Sequence, residues 1–197
     1  MSERGADAGS GTTPESGSAP IATTTIVLMG VSDSGKSSMM RRLARRLEWP
    51  SAEGDTFHSP ANVEKMRNGV PLTDEDRVPW LEALAAWIGE RERAGENGLV
   101  ACSALKREYR DRLRTGHPSV WFVHLVADHS VLAERVEGRR GHYMPASLLG
   151  SQLQTLEPLA PDEPGAAVST VASTARTVDE ILRRLARSTP PSTTIRP

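Results

Sequence analysis

Along residues 25–187 short apolar runs alternate with stretches in which apolar positions recur at helical spacing. Thr25 to Met29, Pro50 to Glu53, Leu99 to Cys102, Val120 to Val126 and Ala167 to Val171 have the length of strands, and the first, third and fourth have the near-continuous apolar character of strands covered on both faces. Between them, Met40, Leu43, Ala44 and Leu47 repeat at i, i+3, i+4 and i+7. Leu81, Leu84, Ala85 and Ile88 do the same, so each segment predicts a helix with one apolar stripe. Thr73 with Asp76, and Thr177 with Glu180, have the spacing of a reciprocal cap and predict two helix starts. Strands alternating with helices predict an α/β fold, in three layers, with a central parallel five-stranded sheet and helices on both faces.

The two ends depart from this pattern. Fifteen of the first twenty residues are Ser, Gly, Ala, Thr or Pro, as are eight of the last ten, too few large apolar side chains to offset the entropy of ordering. Residues 1–22 are expected to form a disordered leader and 188–197 a disordered tail, around a single folded domain over 23–187. With 24 Lys+Arg against 25 Asp+Glu, the net charge of -1 gives no bulk positive field for a polyanion, so neither nucleic acid nor a membrane surface is an expected partner. The single cysteine, Cys102, excludes an internal disulfide and argues for a reducing compartment, the cytoplasm. The aliphatic run at Ile26 to Met29 is far too short to span a bilayer.

The first strand runs directly into Gly30-Val31-Ser32-Asp33-Ser34-Gly35-Lys36-Ser37, which fits G-x-x-x-x-G-K-[ST] and is followed by Ser38 and a basic amphipathic helix. Such a loop turns its successive backbone N–H groups toward phosphate oxygens, and the two glycines allow the close approach. Lys36 brings a positive charge to the β- and γ-phosphates, Ser37 offers a hydroxyl to Mg²⁺, and the helix N-terminus favours the anion. The P-loop by itself leaves a kinase, a GTPase and a mechanical ATPase open. No Asn-Lys-x-Asp guanine-reading motif occurs and the chain is small for a motor, so a small-molecule kinase leads.

Glu53 and Asp55 flank Gly54 at the end of the second strand, where open α/β sheets bind ligands. Phosphoryl transfer requires in-line positioning, charge neutralisation and a carboxylate to orient the acceptor hydroxyl. Asp55 is the candidate for that carboxylate, Glu53 for a contact to Mg²⁺ through water, and His58 for a contact to substrate.

Several longer motifs follow. They are Gly54-Asp-Thr-Phe-His58, Asn62-Val-Glu-Lys-Met66, Gly69-Val-Pro-Leu-Thr-Asp-Glu-Asp-Arg-Val-Pro-Trp-Leu81, Cys102-Ser-Ala-Leu-Lys106 with Tyr109-Arg-Asp111, Arg139-Arg-Gly-His-Tyr-Met-Pro145, and Ser151-Gln152 with Thr155-Leu-Glu157. In this order and density, over about Ile26 to Pro158, the chain resembles the gluconokinase family of small P-loop kinases. The resemblance implies a P-loop NTPase fold of shikimate-kinase type with a helical lid at about 135–158. It also implies ATP and Mg²⁺ as cofactors, and phosphorylation of the terminal hydroxyl of D-gluconate to 6-phospho-D-gluconate. Lid arginines Arg135 and Arg139, one turn apart, would close over the phosphates. A homodimer is a further possibility that the likeness raises.

Gluconate carries one carboxylate, which an Arg can hold with two parallel bonds. Lys65, Arg77, Lys106 and Arg110 are the cations at hand, and Arg77 and Lys106 are favoured. Trp80 and Trp87, seven residues apart, are expected in the core or at a subunit contact. Asp33 stands where the family carries Gly or Ala; it tolerates a positive φ better than most residues, but its charge opposes the phosphates. A kinase for another small hydroxy acid or polyol, and a nucleotide-binding pseudokinase or regulatory module, are the other readings that these residues leave open.

Overall fold

The computed structural model describes residues 23–127 and 147–188. The chain alternates strand and helix: β1 (Thr25–Met29), α1 (Lys36–Leu47), β2 (Ser51–Glu53), a single 3₁₀ turn (Gly54–Phe57), α2 (Pro60–Arg67), α3 (Asp74–Arg93), β3 (Gly98–Ala101), α4 (Arg107–Arg114), β4 (Val120–Val126), α5 (Ser147–Thr155), β5 (Gly165–Ser169) and α6 (Thr174–Ser188). The sheet order is β2-β3-β1-β4-β5, and every pairing is parallel. β1, at the centre, is buried over its whole length because both faces are covered.

Alternate residues of the sheet feed two cores. Ile26 and Leu28 of β1, with Trp121, Val123 and Leu125 of β4, pack against Met40 and Leu43 of α1 and Ile181 and Leu185 of α6. Val27, Met29, Val120 and Phe122 face the other way, onto Trp80, Leu81, Leu84 and Ile88 of α3 and Tyr109 and Leu113 of α4. This is the three-layer α/β arrangement that the sequence pattern predicts. A third, small cluster of Val31 and Leu105 seats α5 through Leu149 and Leu153, with Leu156 just past the helix end.

Thr73 and Asp76 form the expected capping box: the Thr73 hydroxyl accepts from the Asp76 amide at 3.2 Å, and the Asp76 carboxylate from the Thr73 amide at 2.9 Å. The same signature at Thr177 and Glu180 misleads. α6 is already under way at Thr174, the Thr177 hydroxyl donates to the Ser173 carbonyl at 3.2 Å, and Glu180 pairs with Arg183 and Arg184 on the helix surface. β5 starts two residues earlier than its apolar run suggests. Gly165 is opposite Phe122, and a Cβ there would lie 2.4 Å from the Phe122 carbonyl oxygen, so only glycine lets β5 approach β4 at this point. Val171, placed in that strand by the sequence reading, is 65% exposed beyond it. β3 likewise runs one residue earlier, and α6 extends to Ser188. The expected leader (1–22), the part of the expected lid that holds Arg135 and Arg139, and residues 189–197 of the expected tail lie outside the described residues.

Candidate active site

The C-terminal ends of β1, β2 and β3 converge on one cleft. β1 delivers the loop 30–35, whose shape rests on three left-handed residues: Gly30 at φ 139°, Asp33 at φ 62° and Gly35 at φ 98°. A Cβ on Gly30 would stand 3.0 Å from both the Leu125 carbonyl and the Ser34 hydroxyl, so the loop could not close over a larger residue. Asp at 33 is tolerable because its short polar side chain adopts this region more readily than most.

Gly35 caps α1 without a side chain, which leaves the first-turn amides facing the loop's interior. Lys36 folds back across it and donates to the carbonyls of Gly30 at 3.0 Å and Val31 at 2.7 Å. Burial lowers its pKa; the carboxylates of Asp55, Asp33 and Glu53 act in the opposite sense. The Ser34 hydroxyl is buried without a hydrogen-bond partner among the described residues. An orphaned donor inside a loop of inward-facing amides fits a phosphate oxygen.

Ser37 and Glu53, sixteen residues apart, meet across the loop, the hydroxyl donating to the carboxylate at 2.9 Å. Among the described residues no group of three or more His, Cys, Asp or Glu could hold a metal by itself. One carboxylate and one hydroxyl beside a phosphate loop is the donor set that suits Mg²⁺, which takes few protein ligands and fills its octahedron with phosphate oxygens and waters.

The opposite wall comes from the 3₁₀ turn, α3 and α4. Gly54 is pressed onto β3, where a Cβ would lie 2.6 Å from the Ala101 carbonyl, and this seats Asp55 on the cleft. His58, Arg77, Tyr109 and Gln152 line the same space. Burial lowers the His58 pKa, Asp55 raises it and Arg77 lowers it further, so the imidazole is neutral at pH 7.

Arg77 belongs to a network that sequence reasoning misses. Asp74 accepts from Lys106 at 2.6 Å, from Arg77 at 3.3 Å and from the Tyr109 hydroxyl, while Arg77 also donates to the Tyr109 oxygen at 3.2 Å. Hydrogen bonds from Lys106 and Tyr109 hold the Asp74 carboxyl below its ordinary range. In sequence Asp74 is a position of the motif Gly69 to Leu81 with no role of its own. Gln152, part of a quoted motif but given no role, accepts from the Ser32 amide at 2.6 Å and so ties α5 to the phosphate loop.

Of the residues singled out from sequence, the structure brings Ser32, Lys36, Asp55, His58 and Arg77 to one cleft, with Ser37 and Glu53 joined behind the loop. Val31 packs under the loop, and Ser38 is exposed on α1. Lys65 and Lys106 are not among the residues that line the cleft: the first is held by Asp76 at 2.7 Å, the second by Asp74. Arg110, counted as an available cation, is fully buried instead, its guanidinium paired with Glu163. Arg135 and Arg139 lie outside the described residues. No helix among those residues is long and apolar enough to cross a membrane.

Comparison with known proteins agrees with this geometry. Residues 26–145 match the AAA domain family. A gluconokinase of Gluconobacter oxydans is 51% identical over 144 residues, 73% of this chain and 81% of the relative. Among solved structures, an unliganded sugar kinase from a Janibacter species superposes with a TM-score of 0.81 at 44% identity, covering 89% of this chain and 99% of that one. A gluconokinase from Sinorhizobium meliloti gives 0.73 at 48% identity, covering 86% and 94%. With likeness of this depth over most of both partners, the chain belongs to the gluconokinase family and is an ATP-dependent kinase that phosphorylates an alcohol.

Proposed function

We propose that the protein transfers the γ-phosphoryl group of ATP to the terminal hydroxyl of D-gluconate, giving 6-phospho-D-gluconate and ADP. The observation that carries this reading is that Asp55 and Arg77 line one cleft with Lys36, so that a carboxylate, a cation for a sugar acid and the phosphate loop face each other. The loop 30–38 binds the triphosphate through its amides, and Lys36 neutralises charge on the transferring group. Ser37 and Glu53 would hold Mg²⁺, whose chemistry there would be further neutralisation of phosphate charge. Asp55 accepts the hydroxyl proton as the alcohol oxygen forms its bond to phosphorus and the bond to ADP breaks. Arg77, steadied by Asp74 and Tyr109, takes the carboxylate of gluconate, and neutral His58 bonds a hydroxyl of the polyol. Lys106 acts through Asp74, and Lys65 through its hold on Asp76 at the start of α3. Arg135 and Arg139 keep the lid role that the family likeness gives them. One buried cysteine suits a protein of the cytoplasm.

A coupled ADP-release assay tests the reading, with gluconate, glycerate and shikimate as parallel acceptors. ADP release stimulated by gluconate above the others is expected, and Asp55→Asn and Lys36→Ala should each lower kcat by roughly 10²–10⁴-fold. No stimulation by gluconate, or near-wild-type turnover in either variant, overturns the assignment.

A further inference from the structure

Asp55 sits on a short turn whose conformation is imposed from outside. A single 3₁₀ turn has poor hydrogen-bond geometry and little stability of its own. Here the closing bond, from the His58 amide to the Asp55 carbonyl, is long at 3.4 Å. The Asp55 side chain is exposed, so no packing fixes its direction and the turn's backbone must do so. β3 presses on one side of that backbone, through the tight seat of Gly54 against Ala101.

Trp80, from the first turns of α3, secures the other side at two points. Its indole N–H donates to the Gly54 carbonyl at 2.7 Å, a bond buried and spanning 26 residues of sequence. Its ring lies against the His58 imidazole, with centroids 4.3 Å apart and planes 17° from parallel. Gly54 and His58 are the residues that bracket Asp55. Trp80 is only 3% exposed, and Phe or Leu could fill its place in the core; neither has an N–H for Gly54.

We infer that Trp80 is a positioning residue for Asp55: it clamps both ends of the 54–58 turn and so aims the carboxylate at the acceptor hydroxyl. This rests on the role proposed for Asp55. A clamp of this kind affects transfer and not nucleotide binding, because the phosphate loop lies on a separate strand end. A displacement of about 1 Å at a reacting group costs on the order of 10²-fold in rate, so loss of one of two anchors should cost about tenfold.

The full-length protein is assayed with radiolabelled ATP and gluconate as wild type, Trp80→Phe, Asp55→Asn and the double variant. A second replacement of Trp80, by β-(3-benzothienyl)alanine, keeps the bicyclic ring and its stacking and deletes only the N–H, which covers the case in which Phe disturbs the core. Either replacement is expected to lower kcat with gluconate about tenfold while leaving the KM for ATP within about twofold. In the Asp55→Asn background the same replacement should have almost no further effect, because it acts through a group already removed. A full tenfold loss persisting in that background, an equal change in the KM for ATP, or an unchanged kcat in the benzothienyl protein would overturn the role of Trp80. Absence of phosphorylated gluconate from the wild type would instead overturn the functional reading beneath it.

Discussion

Arg110 and Glu163 offer a perturbation whose size follows from the structure. Both side chains are almost fully enclosed, at 1% and 0% exposure, and the guanidinium grips the carboxylate through Nε at 2.5 Å and a terminal nitrogen at 2.9 Å. The same guanidinium also donates to the carbonyls of Ala104, Leu105 and Glu157 at 3.1–3.2 Å and of Pro158 at 3.4 Å. Ala104 is itself held in the left-handed region, at φ 41°. One charged group therefore fastens α4, the strained 103–105 loop beside the cleft and the segment that follows α5. Glu163→Gln would leave the guanidinium charge buried without its counter-charge, at a cost of about 3–5 kcal/mol. For a chain of this length that is a fall in Tm of roughly 6–20 °C.

Replacing both partners, as Arg110→Met with Glu163→Leu, removes the stranded charge but orphans several buried carbonyls, each costing about 1–3 kcal/mol. The double variant should thus stay destabilised, yet by less than the sum of the two single changes. Acid adds a second readout. Burial would raise the Glu163 carboxyl, but the Arg110 hydrogen bonds, the Ala160 amide and the guanidinium charge outweigh it and hold the group below its ordinary value of 4.5. A depressed folded pKa means that the stabilisation is fully present above pH 4.5 and is lost as the pH falls through the folded value. The gap in stability between wild type and Glu163→Gln, followed by urea unfolding, should therefore be constant from neutral pH to about 5 and narrow below 4.5. A Tm change under about 2 °C at neutral pH, or a gap independent of acid, would refute the argument.

Two further outcomes are expected. Asp33→Gly keeps the φ of 62° without strain and removes a charge that, at about 8 Å and an effective dielectric near 20, opposes the phosphates by at most about 2 kcal/mol; screening reduces this to a severalfold drop in the KM for ATP, and no change or a rise in steady-state kinetics counts against it. Thr73→Ala removes half of the capping box and should cost about 1 kcal/mol in chemical denaturation, with an unaltered midpoint showing that the cap contributes nothing.

How legible these features are in the sequence depends on the span of chain each one involves. β1, the phosphate loop and α1 are contiguous, and both the apolar run and the glycine spacing needed to fold back are local properties. The Thr73–Asp76 cap is equally local. The identical signature at Thr177 fails because Ser173 and Thr174, four and three residues earlier, already start the helix, and a cap motif does not encode which of two starts prevails. β5 slips because pattern reading counts side chains, and the strand begins at a residue without one. Arg110 goes astray for a different reason: an arginine is presumed solvated unless its partner is known, and Glu163 is 53 residues distant. Asp74 with Lys106 and Tyr109, Trp80 with Gly54, and Ser32 with Gln152 are pairs of that same kind, and each helps to shape the cleft. The likeness to known kinases supplies the motifs containing these residues, but not the bonds between them.

The bare glycine cap of α1 ties folding to ligand binding. Amides that no side chain answers are met by water or by an anion, and an anion bound there favours the folded chain by mass action. Ligand at a hundred times its dissociation constant adds about 2.7 kcal/mol, a sizeable share of the stability of a domain this size. Nucleotide, whether ATP or ADP, would then prolong the life of each folded copy as well as serve the reaction.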